Sequence, residues 1–160
     1  MPHAAFVATA CVLNGRLYVM GGINSNRLQV LEMTEENGLA WTVKAELPDR
    51  RYGAVSAVHQ GKIWVIGGTV DGQPSTSVIT YDADADTWAT GPSLPSPCVH
   101  GSVTSIDGGI FLHGAANGHG GGTRAFEYVT EARHGPRWER ADAGGTEGLV
   151  HTVCGSVLLG

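Results

Sequence analysis

The stretch Gly53-Ala54-Val55-Ser56-Ala57-Val58-His59-Gln60-Gly61-Lys62-Ile63-Trp64-Val65-Ile66-Gly67-Gly68 reads as a strand, a turn glycine, a second strand and a glycine pair. A tight hairpin turn needs φ > 0 at its central residues, which a glycine at position 61 supplies. Ile63–Ile66 is apolar at consecutive rather than alternate positions, so both faces of this strand are expected to be buried. The pattern recurs. Gly21-Gly22 closes Leu17-Tyr18-Val19-Met20 46 residues earlier, and Gly114 closes Ile110-Phe111-Leu112-His113 47 residues later. The turn glycines of Asn14-Gly15, Gln60-Gly61, Asp107-Gly108 and Cys154-Gly155 follow at intervals of 46, 47 and 47. The expected hairpins are Phe6–Leu13 with Arg16–Met20, Gly53–His59 with Lys62–Ile66, Gly101–Ile106 with Gly109–His113, and His151–Val153 with Ser156–Leu159. Self-similarity at such a period is the mark of a repeat architecture.

The second half of each repeat is shared as well. Ser77–Asp82 reads as a third strand, Ala83–Thr87 as an acidic turn, and Trp88 opens a fourth strand with six residues between it and Tyr81. Tyr128 and Trp138 take the same roles in the third repeat, with a longer turn through Arg133–Pro136. The first repeat has Trp41, a third strand over Leu28–Met33 and no tyrosine. Leu47-Pro48 and Leu94-Pro95 close two repeats, and Met1-Pro2 falls where another such closure belongs.

This order of elements (strand, turn glycine, apolar strand, double glycine, tyrosine, six residues, tryptophan) resembles the kelch repeat. The middle repeat matches throughout, the first departs at the tyrosine, and the third has Gly114-Ala115 for the double glycine. The resemblance covers the chain and implies an all-β fold: a partial kelch-type β-propeller of four-stranded antiparallel blades, three of them plus the start of a fourth. The approximate repeats are 1–49, 50–97, 98–148 and 149–160. Closed rings commonly hold about six blades. Completion by further blades of a longer chain is therefore expected, ahead of pairing between two copies, because the sequence stops in mid-strand.

Composition agrees with a turn-dense globular protein: 42% apolar, 16% charged and 24 glycines in 160 residues. A net charge of −5 gives no electrostatic reason to expect nucleic acid or an anionic membrane as partner. No apolar run is long enough to span a bilayer, and Met1-Pro2-His3 does not open a signal peptide. Cys11, Cys98 and Cys154, 87 and 56 residues apart, fit no metal motif and read as small buried side chains, which suits a cytoplasmic setting.

In kelch binding domains the residues flanking the inner strand often contact a peptide, with arginine prominent. Here the resemblance points to Arg50, Arg51 and Tyr52, and to His100 in the next repeat. An arginine fork suits a carboxylate and tyrosine adds amphipathic contact area, so an acidic or polar peptide is the expected partner. The competing reading makes one arginine an inter-blade contact and leaves the other solvated. Loops after the glycine pairs add Asn24 and Asn26, then Asn117 and His119. Asp82-Asp84-Asp86 begins like a calcium loop but lacks the glycine and distal glutamate, and no histidine pair has metal-ligand spacing. No cofactor, metal or catalytic residue is expected. The family implies a non-catalytic protein-binding module of the kind that recruits substrates to ubiquitin ligases or tethers actin. Its alternative is a fragment of a kelch-type enzyme, a copper radical oxidase or a sialic acid epimerase.

Overall fold

The computed structural model describes residues 1–34, 38–106, 109–113, 125–129 and 135–140. Its first blade is the antiparallel sheet β1 (Thr9–Leu13), β2 (Arg16–Met20), β3 (Leu28–Thr34) and β4 (Gly38–Lys44), hydrogen-bonded in that order. The short β5 (Arg51–Tyr52) leads into the second blade, β6 (Val55–His59) and β7 (Lys62–Ile66). There follow the brief strands β8 (Thr69–Val70) and β9 (Gln73–Pro74), then β10 (Val78–Asp82) and β11 (Thr87–Thr90). The third blade is β12 (Ser102–Ile106), β13 (Gly109–His113), β14 (Ala125–Val129) and β15 (Arg137–Arg140). The hairpin expected over His151–Leu159 lies outside the described residues.

Two of the turns take the conformation that their sequence demands. Asn14 and Gly15 have φ of 50° and 74°, and Gln60 and Gly61 have 49° and 73°, so both central residues are left-handed. The inner strands start one to three residues later than expected, at Thr9, Val55 and Ser102. Val7, Gly53 and His100, at matching positions, have φ of 58°, 62° and 55° and interrupt the extended chain. Each lies in a hydrogen-bond relay between blades: the Gly53 N–H donates to Val7 O at 3.0 Å, and the His100 N–H donates to Gly53 O at 2.8 Å. This relay holds a β-branched residue in a conformation that such residues rarely adopt.

Burial follows blade stacking. In the middle blade Ile63, Trp64, Val65 and Ile66 are all buried, as their unbroken apolar run implies. In β2 only Tyr18 and Met20 are buried, while Leu17 and Val19 are half-buried, because one face of the first blade has no neighbour among the described residues. One core, including Leu13, Tyr18, Met20, Ile63 and Tyr81, fills the space between blades one and two. Another, including Trp64, Ile66, Leu112, Tyr128 and Trp138, fills that between blades two and three.

The paired aromatics of β10–β11 and β14–β15 clamp the preceding blade. Tyr81 sits opposite Trp88, and Tyr128 opposite Trp138. The Trp88 Nε1–H donates to Ala45 O and the Trp138 Nε1–H to Pro92 O, each at 2.9 Å. His59 packs edge-on to Trp64 and Tyr128 with its Nε2 buried and unpartnered. Burial holds this imidazole neutral and its pKa below the ordinary value. A depressed histidine contributes stability that is present above the unfolded pKa of about 6.5 and lost as pH falls through the folded value. His59→Leu, which copies Leu13 at the matching place in blade one, is expected to flatten the loss of melting temperature between about pH 7 and pH 5.

Glycine 67 sets the distance between blades two and three. A Cβ there would lie 2.3 Å from Cys98 O at a φ of 63°. Gly67→Ala is expected to cost about 3 kcal/mol in urea unfolding. Gly61→Ala, with φ 73° but open space around it, is expected to cost only about 1 kcal/mol.

Candidate functional site

Strand polarity gathers most of the expected site at one end of the blades. The glycine pairs, the segments leading into the inner strands and the ends of the outer strands all lie there, tied by backbone bonds. Gly22 N–H donates to Arg51 O at 2.8 Å, Gly68 N–H to Cys98 O at 2.7 Å, and Leu47 N–H to Asn26 O at 2.7 Å. Arg50, Arg51, Tyr52, His100, Asn24 and Asn26 therefore share this end, whereas Asn117 and His119 lie outside the described residues.

Adjacent arginines play opposite roles. Arg50 is exposed, with no side-chain hydrogen bond or ion pair among the described residues. Arg51 is 1% exposed. Its Nε and Nη2 donate to the two carboxylate oxygens of Asp49 at 2.7 Å each. Its Nη2 also donates to Ser77 Oγ at 2.9 Å, and its Nη1 to Gly67 O at 3.0 Å and Ser77 O at 3.3 Å. All five of its N–H groups are committed, so Arg51 has nothing to offer a ligand, and the expectation that it would face one is corrected. It ties the segment before β6 to the second blade's glycine pair and β10.

The remaining positions divide in the same way. Asn24 is exposed at φ 58°. Asn26 is half-buried and spends its amide on Glu46 Oε2 at 3.1 Å and Leu47 O at 3.4 Å, which fixes the loop to the end of the outer strand. Tyr52 is half-buried, and His100 is exposed with its imidazole over Gly53, where a Cβ would lie 2.8 Å from Cε1. Sequence reasoning missed Asp49, two residues before its arginine, and the left-handed relay of Val7, Gly53 and His100. The relay was legible only as a third recurrence at the 46- and 47-residue spacings.

The acidic turn and the thiols are internally occupied. Asp82 Oδ1 accepts from the Asp84 and Ala85 N–H groups, and its carboxylate meets Lys62 Nζ at 3.1 Å. Asp86 Oδ1 accepts from Tyr81 Oη at 2.6 Å and Ala45 N at 2.9 Å, and these bonds hold its pKa below the usual carboxylate range. Burial pushes the Cys11 and Cys98 thiols up to about 11, so neither is a ready nucleophile. Among the described residues, no three His, Cys, Asp or Glu side chains group to hold a metal ion, and no helix is long and apolar enough to cross a membrane.

Comparison with known proteins decides the family. The profile of the Kelch motif matches residues 8–33 and 50–95. The chain belongs to the kelch-repeat family. It is 32% identical to alpha-scruin of Limulus polyphemus over 73% of this chain and 14% of that protein. It is 30% identical to kelch-like protein 35 of Mus musculus over 77% of this chain and 21% of that one. Kelch repeat and BTB domain-containing protein 1 of Ectromelia virus is 28% identical over 66% of this chain and 20% of the viral protein. The chain thus spans well under a third of the length of these relatives. The solved structure of YjhT superposes with a TM-score of 0.72 at 16% identity, over 88% of this chain and 52% of the other, which establishes the propeller fold.

If Arg51 is an internal tie, Arg51→Leu should strand the Asp49 carboxylate and two carbonyls, costing about 3 kcal/mol in denaturant unfolding. Arg50→Leu, on the exposed neighbour, should change stability by no more than about 0.5 kcal/mol.

Proposed function

We propose that the chain is a non-catalytic kelch-repeat binding module, acting in a reducing compartment such as the cytoplasm, that recognises a protein or peptide at the glycine-pair end of its blades. The observation that carries this reading is the fixed presentation of Arg50 and His100. Both side chains are exposed, while the backbone beside each is locked by inter-blade hydrogen bonds at Arg51 and Gly53. Side chains held on a rigid frame bind with little ordering cost. Arg50 supplies a fork for a carboxylate, His100 a ring and a donor, and Tyr52 and Asn24 flank them, which favours an acidic or polar peptide. Further kelch blades of a longer chain complete the ring around this surface.

The test is charge reversal away from the packing. Arg50→Glu and His100→Ala are expected to leave the melting temperature unchanged and to weaken capture of the bound partner by about tenfold or more. Capture equal to the unaltered chain would remove this surface from consideration.

A further inference from the structure

Each blade ends in an outer strand, β4, β11 or β15, whose far edge pairs with no other strand. The hydrogen-bond phase of the first blade fixes which residues of β4 point to that edge. Gly21 N–H donates to Arg27 O at 3.0 Å. Bonded and non-bonded pairs alternate along an antiparallel ladder, so Gln29 and Leu31 bond to β2, while Leu28, Val30, Glu32 and Thr34 bond to β4. Blade two has the same phase: Gly91 N–H donates to Val78 O at 2.8 Å, and these residues match Lys44 and Leu28. Leu39, Trp41 and Val43 therefore direct both N–H and C=O outward, and none of these groups has a hydrogen-bond partner among the described residues. Ala45 continues the series, and its outward N–H and C=O are taken by Asp86 and Trp88 of the next blade.

The three edges differ in what they offer. β11 has four residues, with only Trp88 and Thr90 in the outward phase. β15 reads Arg137-Trp138-Glu139-Arg140 and is charged along most of its length. Short length and charge both keep an edge from pairing. β4 has seven residues and no charge from Gly38 to Val43. Its ladder with β3 also runs past Glu32–Ala40, the level at which the matching ladder of β10 and β11 ends with Asp82–Thr87. Beyond it Met33 is 76% exposed and Leu39 65%, and Val43 on the same face is 45% exposed. Blades stack through the faces of their sheets, so closing the ring leaves this outer edge open.

We propose that the outer edge of β4 pairs with the same strand of a second copy of this chain, antiparallel about a two-fold axis at Trp41. Leu39 then faces the partner's Val43, and Trp41 faces the partner's Trp41. Each outward N–H meets an outward C=O across the axis. Side chains on the shared face also fall into rows. Met33 and Leu39 continue into the partner's Val43, and Leu31 and Trp41 into the partner's Trp41 and Leu31. Lys44 lies opposite the partner's Gly38, so no like charges are opposed. The strand is thus complementary to itself, whereas a foreign strand would have to reproduce its uncharged pattern. A two-fold pairing uses both edges at once, so the assembly stops at two copies.

The test reads sedimentation and backbone hydrogen exchange on the 160-residue chain. It is expected to pass from monomer to dimer as its concentration is raised to about 1 mM. The Trp41 and Val43 amides should exchange slower by about tenfold or more in the dimer. Val43→Pro removes an outward N–H and leaves the ladder to β3 intact, so it should abolish the dimer at an unchanged melting temperature. Leu39→Lys and Val43→Glu should each fail to self-associate. Mixed together they set Lys against Glu at one facing pair and keep Val43 against Leu39 at the other, so the mixture should dimerise. A chain still monomeric at about 1 mM overturns the proposal. So does a dimer whose Trp41 and Val43 amides exchange as in the monomer, or a mixture no more associated than its parts. Protection of those amides in a monomer by an added peptide of alternating apolar residues also overturns it and gives the edge to a foreign strand. None of these readouts involves Arg50 or His100, so the edge and the loop surface fail separately.

Discussion

Where the glycine pairs meet the next blade, two backbones come close enough to bond. The N–H of Gly22 reaches Arg51 O and that of Gly68 reaches Cys98 O, while the glycine before each, Gly21 and Gly67, lies so near the same carbonyl that a Cβ would overlap it. Any side chain there would push the blades apart. Separated blades would lose the apolar contact that stabilises them, since each sheet is too thin to bury a core alone. Spacing at this end therefore governs the rest. It sets the depth at which Tyr18 meets Tyr81 and Trp64 meets Tyr128, with ring centroids 6.2 and 4.8 Å apart.

The outer end of each interface is held by a different device that adapts to sequence. At the first junction blade two grips both polar groups of Ala45: Trp88 takes its carbonyl and Asp86 its N–H. At the second, Pro92 occupies the place of Ala45 and has no N–H, so the indole bond from Trp138 alone satisfies the residue. The tryptophan is thus the shared element, and the carboxylate is required only where the facing residue carries a donor. The bonds from Tyr81 and Ala45 favour the ionised form of Asp86, so this contact weakens as acid protonates the carboxylate.

The sequence spoke clearly wherever structure is local or strictly periodic. Gly15 and Gly61 announced hairpins because the turn itself demands φ > 0, and Trp41, Trp88 and Trp138 announced outer strands by recurrence. It was silent where conformation comes from across the interface. Val7 is left-handed because its carbonyl must meet the Gly53 N–H, and nothing about valine signals that. Arg50 and Arg51 are indistinguishable as neighbours. What separates them is Asp49, two residues before Arg51, together with Ser77 and the Gly67 carbonyl, which between them consume every donor of one guanidinium and none of the other. The positions of candidate contacts were readable, but their availability was not, since availability depends on partners brought in by the fold.

The same separation explains how a repeat can be both uniform and selective. Positions that face the neighbouring blade are constrained by it: 13, 59 and their equivalents must fill a closed space, and His59 does so even with a buried ring nitrogen left unpaired. Positions 6, 52 and 99 stand one residue before the left-handed relay and hold phenylalanine, tyrosine and valine, and positions 4, 50 and 97 hold alanine, arginine and proline. The Tyr52 carbonyl lies over Gly68, while the side chain of Arg50, two residues earlier, is exposed and makes no hydrogen bond or ion pair among the described residues. Chemistry at the glycine-pair end can therefore change from repeat to repeat while the glycine contact, the relay and the tryptophan clamp stay fixed.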